Sequence, residues 1–325
     1  MVKYQTIAIC SMLHFLVDGL CACQLYLLAS VMPMERLLGV FLTYNLLAFL
    51  TQPLTGLWAD RVGQKHRMLL LANVLLTGAV LLGQTVWLMA DGQPLVVVPL
   101  LVATLLGLGN SFFHVWGGVQ TAVRTQNDIR SVGVFVSTGA FGLSVGMVFS
   151  SWLLLWVFCL LIGWLSVDYV RRDRGLTETV RQWAAGPNGV LEHFGPVFLA
   201  VSIILLMLIV MGRSFLAGAF SADMSKGQLA VLAVGAVSML GKMAGGWEAR
   251  SMGWPGAALL MVVVGLVCYG CRQLDEAVVL LGLFAVNCTM PITLYLANVV
   301  LKGHEGLAFG LLAAALVPAY VWAFL

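Results

Sequence analysis

Long apolar stretches alternate with short polar ones along the whole chain. A helix needs about 20 mostly apolar residues to cross the hydrocarbon core of a bilayer. Stretches that meet this need fall near 6–30, 37–58, 68–90, 94–116, 131–150, 152–170, 195–219, 227–245, 254–271, 277–300 and 306–325. The pattern therefore predicts an all-α, polytopic membrane protein of about eleven transmembrane helices. From Val132 to Ser166 there is no charged residue, a run too long for one helix, and the division falls at Ser150–Ser151. Barrel strands alternate apolar and polar residues over short segments, so unbroken runs of this length exclude a transmembrane β-barrel. The longest connection, near Arg171–Phe194, divides the chain into an N-terminal six-helix half-bundle (1–170), a cytoplasmic linker (171–194) and a C-terminal five-helix half-bundle (195–325).

Composition narrows the class. Charged residues make up 10% of the 325, against roughly 25% in soluble globular proteins, and hydrophobic residues make up 61%. A soluble enzyme, a disordered chain and a nucleic-acid binder with a basic face are excluded. The net charge of +3 hides an asymmetry. With the N-terminus in the cytoplasm, the inner loops hold Lys3, Arg61, Lys65, Arg67, Arg124, Arg130, Arg171, Arg172, Arg174, Arg181, Lys242, Arg250 and Lys302. The outer loops hold only Arg36, Lys226 and Arg272, so the positive-inside rule fixes this orientation. The first apolar run is too long for a signal-peptide core and reads as a retained helix. Short loops and tails favour a bacterial inner membrane over other cell membranes. The seven cysteines all fall in apolar spans and read as packing residues.

An ionisable side chain at membrane depth is costly and is by default a functional candidate. Asp18 lies about twelve residues into the first helix, about 18 Å deep at the rise of an α-helix and near the midplane. His14 is four residues earlier on the same face. A carboxyl in that setting can take up and release a proton, and an imidazole beside it can share that proton. Asp18 and His14 are therefore the candidate proton-coupling pair. The alternative is a pair of hydrogen-bonded packing residues. Arg213 lies about 25 Å along the seventh helix, where it can neutralise Asp18, hold an anionic solute, or snorkel to the outer interface.

Further polar residues sit on apolar helices. Asn110 and His114 share a face of the fourth. Pro291 in the tenth frees the carbonyl of Asn287 and predicts a broken helix there, with Thr293 and Tyr295 close by. Tyr44, Asn45 and Gln52 add polarity to the second helix near Pro53. Arg213, Asn110, His114, Asn287 and Tyr295 are the candidate solute contacts. For any one of them taken singly, interhelical hydrogen bonding is an equal reading. Glycines 139, 142 and 146 in the fifth helix, and 241 and 245 in the eighth, read as close helix contacts. Asp168 and Lys242 lie near inner helix ends and are expected to be solvated. The histidines are scattered and no Cys/His spacing repeats, so neither a metal nor another cofactor is expected. No phosphate-binding glycine loop occurs. Only Asp18 among the carboxylates is deep, which leaves no arrangement for an intramembrane hydrolase. The chain does not read as an enzyme.

Gly56-Leu-Trp-Ala-Asp60-Arg61-Val-Gly63-Gln64-Lys65 follows the second span, and Gly246-Trp-Glu248-Ala-Arg250-Ser-Met-Gly253 follows the eighth. They align without a gap, glycine on glycine at both ends, as expected of two sequence-related halves. The first segment resembles the signature loop of the major facilitator superfamily, matched at Gly56, Asp60, Arg61, Gly63, Gln64 and Lys65. Three further patches resemble fosmidomycin-resistance-type exporters: His14-Phe-Leu-Val-Asp18, Gly107-Leu-Gly109-Asn110-Ser-Phe-Phe113-His114, and Met290-Pro291-Ile-Thr293 with Gly306-Leu-Ala-Phe309-Gly310.

The resemblance implies a fold of two pseudo-symmetric half-bundles, with the first, fourth, seventh and tenth helices around a central cavity. It implies a gating loop at Gly56, Asp60, Arg61, Gly63 and Lys65. There Asp60 pairs across the halves or caps a helix, as a latch that favours one state. Two departures stand out. The superfamily's twelfth helix is missing, which leaves room for a partner helix or a homo-oligomer, and Arg250 stands where the first half has Asp60. The function implied is secondary active transport of a small polar or anionic solute by alternating access. Proton coupling is expected, and the exporter-like patches favour efflux. Solute, protons and the lipid bilayer are the expected partners, and nucleic acid is not. A non-transporting receptor or assembly partner with a degenerate transporter fold, and an uncoupled facilitator, remain open as alternatives.

Overall fold

A computed structural model describes residues 3–61, 66–88, 97–173 and 195–322. Eleven helices among the described residues are long and apolar enough to cross a membrane. They are α1 (Tyr4–Ala29), α2 (Met34–Arg61), α3 (His66–Val86), α4 (Val97–Arg124), α5 (Ile129–Val148), α6 (Trp152–Arg172), α7 (Pro196–Ala222), α8 (Gln228–Met252), α9 (Trp254–Cys271), α10 (Glu276–Val300) and α11 (Glu305–Trp322). The architecture is all-α, and the protein is a multi-pass membrane protein. Its outer faces carry exposed apolar side chains, such as Leu259, Val263, Leu266 and Val267 on α9, as membrane-facing surfaces do. Of the seven cysteines, Cys271 alone is exposed, and all are free thiols.

Polar residues placed at the ends of the apolar runs set the boundaries. The uncharged stretch divides where expected, because Ser151 accepts a hydrogen bond from the Leu154 amide and caps α6. Asp128 and Asp275 cap α5 and α10 in the same manner, accepting from the Arg130 and Ala277 amides. The helices run past the apolar segments that predict them: α4 continues to Arg124 and α8 to Met252, each carrying its basic residue in the last turn. α2 has a one-residue turn at Thr51, just before Pro53. α10 departs from expectation. Pro291 sits inside a continuous helix from Glu276 to Val300 rather than at a break.

α1 packs chiefly on α5, α5 also packs on α8, and α11 packs on α2. The α1–α5 contact is made by glycine. A methyl group on Gly142 would strike the carbonyl oxygen of Phe15, and one on Gly146 that of Gly19. Gly245 meets the Cys288 carbonyl of α10 in the same way. Without a hydrophobic force between helices in lipid, van der Waals approach of this kind is what holds them together. Gly146→Ala is therefore expected to cost about 1–3 kcal/mol by overpacking. Gly163→Ala on α6, where a methyl meets nothing within 4 Å, is expected to be neutral or slightly stabilising. Thermal unfolding of the two purified variants beside the parent protein measures the difference.

Candidate functional site

Eight of the eleven helices surround a cavity of about 560 Å³, and α3, α6 and α9 contribute nothing to its wall. The expected four helices, α1, α4, α7 and α10, all line it, joined by α2, α5, α8 and α11. No lining residue lies in the final helical turn at the end of the bundle that carries the N-terminus. The cavity reaches from mid-helix toward the opposite end.

The buried carboxyl on its wall is Asp18. It is 8% exposed and held by two helices. His14 Nε2 lies 3.2 Å from its Oδ2, and His114 Nε2 lies 3.4 Å from its Oδ1. The Asn110 amide donates to Oδ1 at 3.1 Å. The two imidazoles meet Nε2 to Nε2 at 2.9 Å. Their other nitrogens are committed elsewhere: His14 Nδ1 lies 2.7 Å from the Phe135 carbonyl oxygen and His114 Nδ1 lies 3.0 Å from that of Asn110. A carbonyl can only accept, so both Nδ1 atoms carry hydrogen. Helical spacing produces the cluster, His14 and Asp18 four apart on α1, Asn110 and His114 four apart on α4. Gly139 on α5 leaves the room for it, since a side chain there would occupy the space of Asp18 and His14.

Across the cavity the charge reverses. Arg213 on α7 is 9% exposed, and its Nε has no hydrogen-bond partner. It neither pairs with Asp18 nor snorkels to the interface. Lys242 on α8, expected near an inner helix end, is half-buried and lines the cavity on the same side as Arg213. Its depth was countable: it lies ten residues before Met252, about 15 Å from the helix end. The cavity thus holds two cations and one carboxyl. Asn287 lines it, its amide donating to the Leu283 carbonyl at 2.9 Å and to Ser238 Oγ at 3.4 Å. Tyr295 is placed elsewhere. It is not part of the wall, and its carbonyl accepts from Asn127 at 3.1 Å. Asp168, expected to be solvated, lies outside the cavity, half-buried in an ion pair with Arg172.

The N-terminal end of the bundle is locked. Asp60 Oδ1 accepts from the Gly306 amide at 2.8 Å, and Oδ2 from the Leu307 amide at 2.9 Å. Those are second and third amides of α11, whose own preceding residue, His304, caps nothing with its side chain. Asp60 therefore caps a helix of the other half. Gly56 permits the approach, since a methyl there would strike the Gly306 backbone, and Gly306 and Gly310 do the same for the α2 backbone. Arg61 is exposed at the end of α2, while Gly63 and Lys65 lie outside the described residues. The pseudo-equivalent contact joins Gly246 of α8 to the start of α5 at Ile129 and Arg130. There Asp128, the residue just before α5, caps that helix itself, which leaves the position of Asp60 in the second repeat free to be Arg250.

No family model matches the chain, and no curated protein does. Solved structures do match. The fold is of the major facilitator type. FucP, a major facilitator superfamily transporter in the outward conformation, aligns over 97% of this chain and 89% of its own, with a TM-score of 0.72 at 9% identity. The human organic anion transporter MFSD10 aligns over 99% and 93%, with a TM-score of 0.65 at 14% identity. A bacterial homologue of the iron transporter ferroportin, in the outward-facing state, aligns over 98% and 91%, with a TM-score of 0.58 at 15% identity.

Loss of a cap costs about 0.5–2 kcal/mol. Asp60→Ala is expected to expose the first turn of α11, read as faster hydrogen–deuterium exchange at Gly306 and Leu307, with exchange along α1 unchanged.

Proposed function

We propose that the protein is a secondary active transporter that moves a small anionic solute by alternating access, coupled to protons. The observation that carries this reading is the pairing, in one mid-depth cavity between two half-bundles, of a carboxyl clustered with imidazoles and two cations facing it, Arg213 buried and Lys242 half-buried. Excess positive charge in a low-dielectric cavity draws an anion. The unpartnered Nε of Arg213 is a donor in want of an acceptor, which an anionic oxygen supplies. Lys242 adds a second charge, and Asn110 and Asn287 add neutral amides for orientation.

The steps follow from the locks. In the state described, the solute enters from the end opposite the N-terminus, while Asp60 and the glycine crossings hold the other end shut. A proton on the Asp18–His14–His114 cluster removes negative charge from the cavity and strengthens its attraction for an anion. The solute's contacts with α7 and α8 draw the C-terminal half toward the N-terminal half, and the Asp60 cap gives way as the bundle rocks. Loss of the proton on the far side releases both cargoes. The orientation with a cytoplasmic N-terminus makes the open end the outer one, so proton and anion bound together run inward down a proton gradient, whereas the exporter-like patches favour efflux, in which the same steps run in reverse down the solute's own gradient. The cell membrane of a bacterium is the expected place of work.

Flux in proteoliposomes tests the reading, with a panel of carboxylates and phosphate esters as solutes. A saturable, pH-dependent flux is expected. Asp18→Asn is expected to abolish its pH dependence. Arg213→Gln is expected to raise KM about tenfold to a hundredfold, the loss of one charged hydrogen bond. Saturable flux that ignores pH would select an uncoupled facilitator. No flux across the panel would overturn transport in favour of a receptor or assembly role.

A further inference from the structure

We propose that His14, Asp18 and His114 form a binding site for one divalent transition-metal cation of the Zn²⁺ type. The argument begins with protons. Both Nδ1 atoms give their hydrogens to backbone carbonyls, so in neutral rings both Nε2 atoms present lone pairs. These lone pairs face one another at 2.9 Å, and the Asp18 oxygens face them at 3.2 and 3.4 Å. Three electron-pair donors thus converge on one point, and the gaps are too small for another side chain. A single added proton bridges one pair of them well. A metal ion satisfies all three.

The spacing fits. Zinc binds imidazole nitrogen and carboxylate oxygen at about 2.0–2.2 Å, which places tetrahedral ligand atoms about 3.3 Å apart. The surroundings fit as well. Metal-binding histidines donate their second N–H to a carbonyl or carboxylate, and ligating carboxylates are themselves hydrogen-bonded. Both rings here donate to carbonyls, and the Asn110 amide holds Asp18 Oδ1. All three side chains are buried and all three line the cavity, so the remaining coordination position opens onto it. Water or an anionic oxygen of the solute can take that position. Two imidazoles and a carboxylate are a borderline donor set suited to zinc, iron, cobalt or nickel rather than to calcium or magnesium.

The groups that feel Asp18 from around the cluster are Cys21 on α1, Tyr44 on α2, Lys242 on α8 and Tyr320 on α11. Lys242 opposes a dication, and a proton shared by the cluster competes with one. Metal binding therefore displaces a proton and weakens as pH falls. The cation's part as a carried or coupling ion rests on the transport reading above, whereas its binding does not.

The test is calorimetric titration of ZnCl₂ into the purified, chelator-treated full chain, repeated in buffers of different ionisation enthalpy, with CoCl₂ absorption as a second readout. One equivalent is expected to bind with net proton release. His14→Gln, Asp18→Asn and His114→Gln are each expected to weaken binding at least about 100-fold, and Asn110→Ala about 10–100-fold. His304→Gln, on an exposed histidine, is expected to change nothing. If a variant fails to fold, the cobalt spectrum of the unaltered protein decides. Nitrogen and oxygen ligation at one equivalent supports the site, and a thiolate charge-transfer band overturns it. No binding, or binding that survives the Asp18→Asn, His114→Gln double variant, also overturns it. Absent metal binding with intact pH-dependent flux sinks the metal site alone. Metal binding without flux sinks the transport reading alone.

Discussion

A carboxyl in the middle of a membrane-spanning bundle has lost most of the water that would solvate it at a surface, so the protein must supply its partners. Asp18 takes one from its own helix and two from α4, and that requirement fixes how these helices meet. α1 must present His14 and Asp18 on one stripe. α4 must place Asn110 and His114 opposite them. α5 must come close enough to seal the cluster, with Phe135 supplying a carbonyl and Gly139 supplying space. The tight glycine crossings of α5 on α1 continue that approach along the helix pair. The N-terminal half is thus organised around one ionisable group, while the cations that answer it stand on the other half. Whatever changes the charge of the cluster changes the attraction between the halves.

The locked end shows how a duplicated fold distributes one task. In both halves the second helix crosses the start of a fifth-position helix through glycine, Gly56 on Gly306 and Gly246 on Ile129 and Arg130. The helix N-termini at these crossings need acceptors for their free amides. One half meets the need from across the interface with Asp60, the other from within with Asp128. Pseudo-symmetry of the backbone therefore coexists with asymmetry of the chemistry, and the Gly56–Gly306 crossing is stitched across the halves by the Asp60 side chain.

Much of this was legible in the sequence because hydrophobic length and helical spacing are local properties. The eleven spans, the split near Ser151 and the i,i+4 pairs on α1 and α4 follow from residues near one another in the chain, whereas the latch at Asp60 is expected only from the resemblance of its loop, since its partners lie 246 and 247 positions away. What escaped was relational. His14 and His114 lie 100 positions apart, and no periodicity says that two lone histidines face each other at 2.9 Å. Lys242 counts as an inner-end residue only if α8 stops with its apolar stretch, whereas α8 runs on to Met252. Pro291 lies inside a helix that continues from Glu276 to Val300, and Tyr295, four residues on, is not part of the cavity wall.

The Asp60 contact also bears on how the sequence can vary. Its acceptors are carboxylate oxygens, but its donors are main-chain amides. A main-chain donor is the same whatever side chain position 307 carries, so that position is free to drift. Position 306 has no such freedom, because any side chain there meets the Gly56 carbonyl and Asp60 itself. Substitutions that retune the strength of the closed end are therefore confined to the few residues that set the distance of approach. The helix that the latch grips can change nearly everywhere else without the latch noticing.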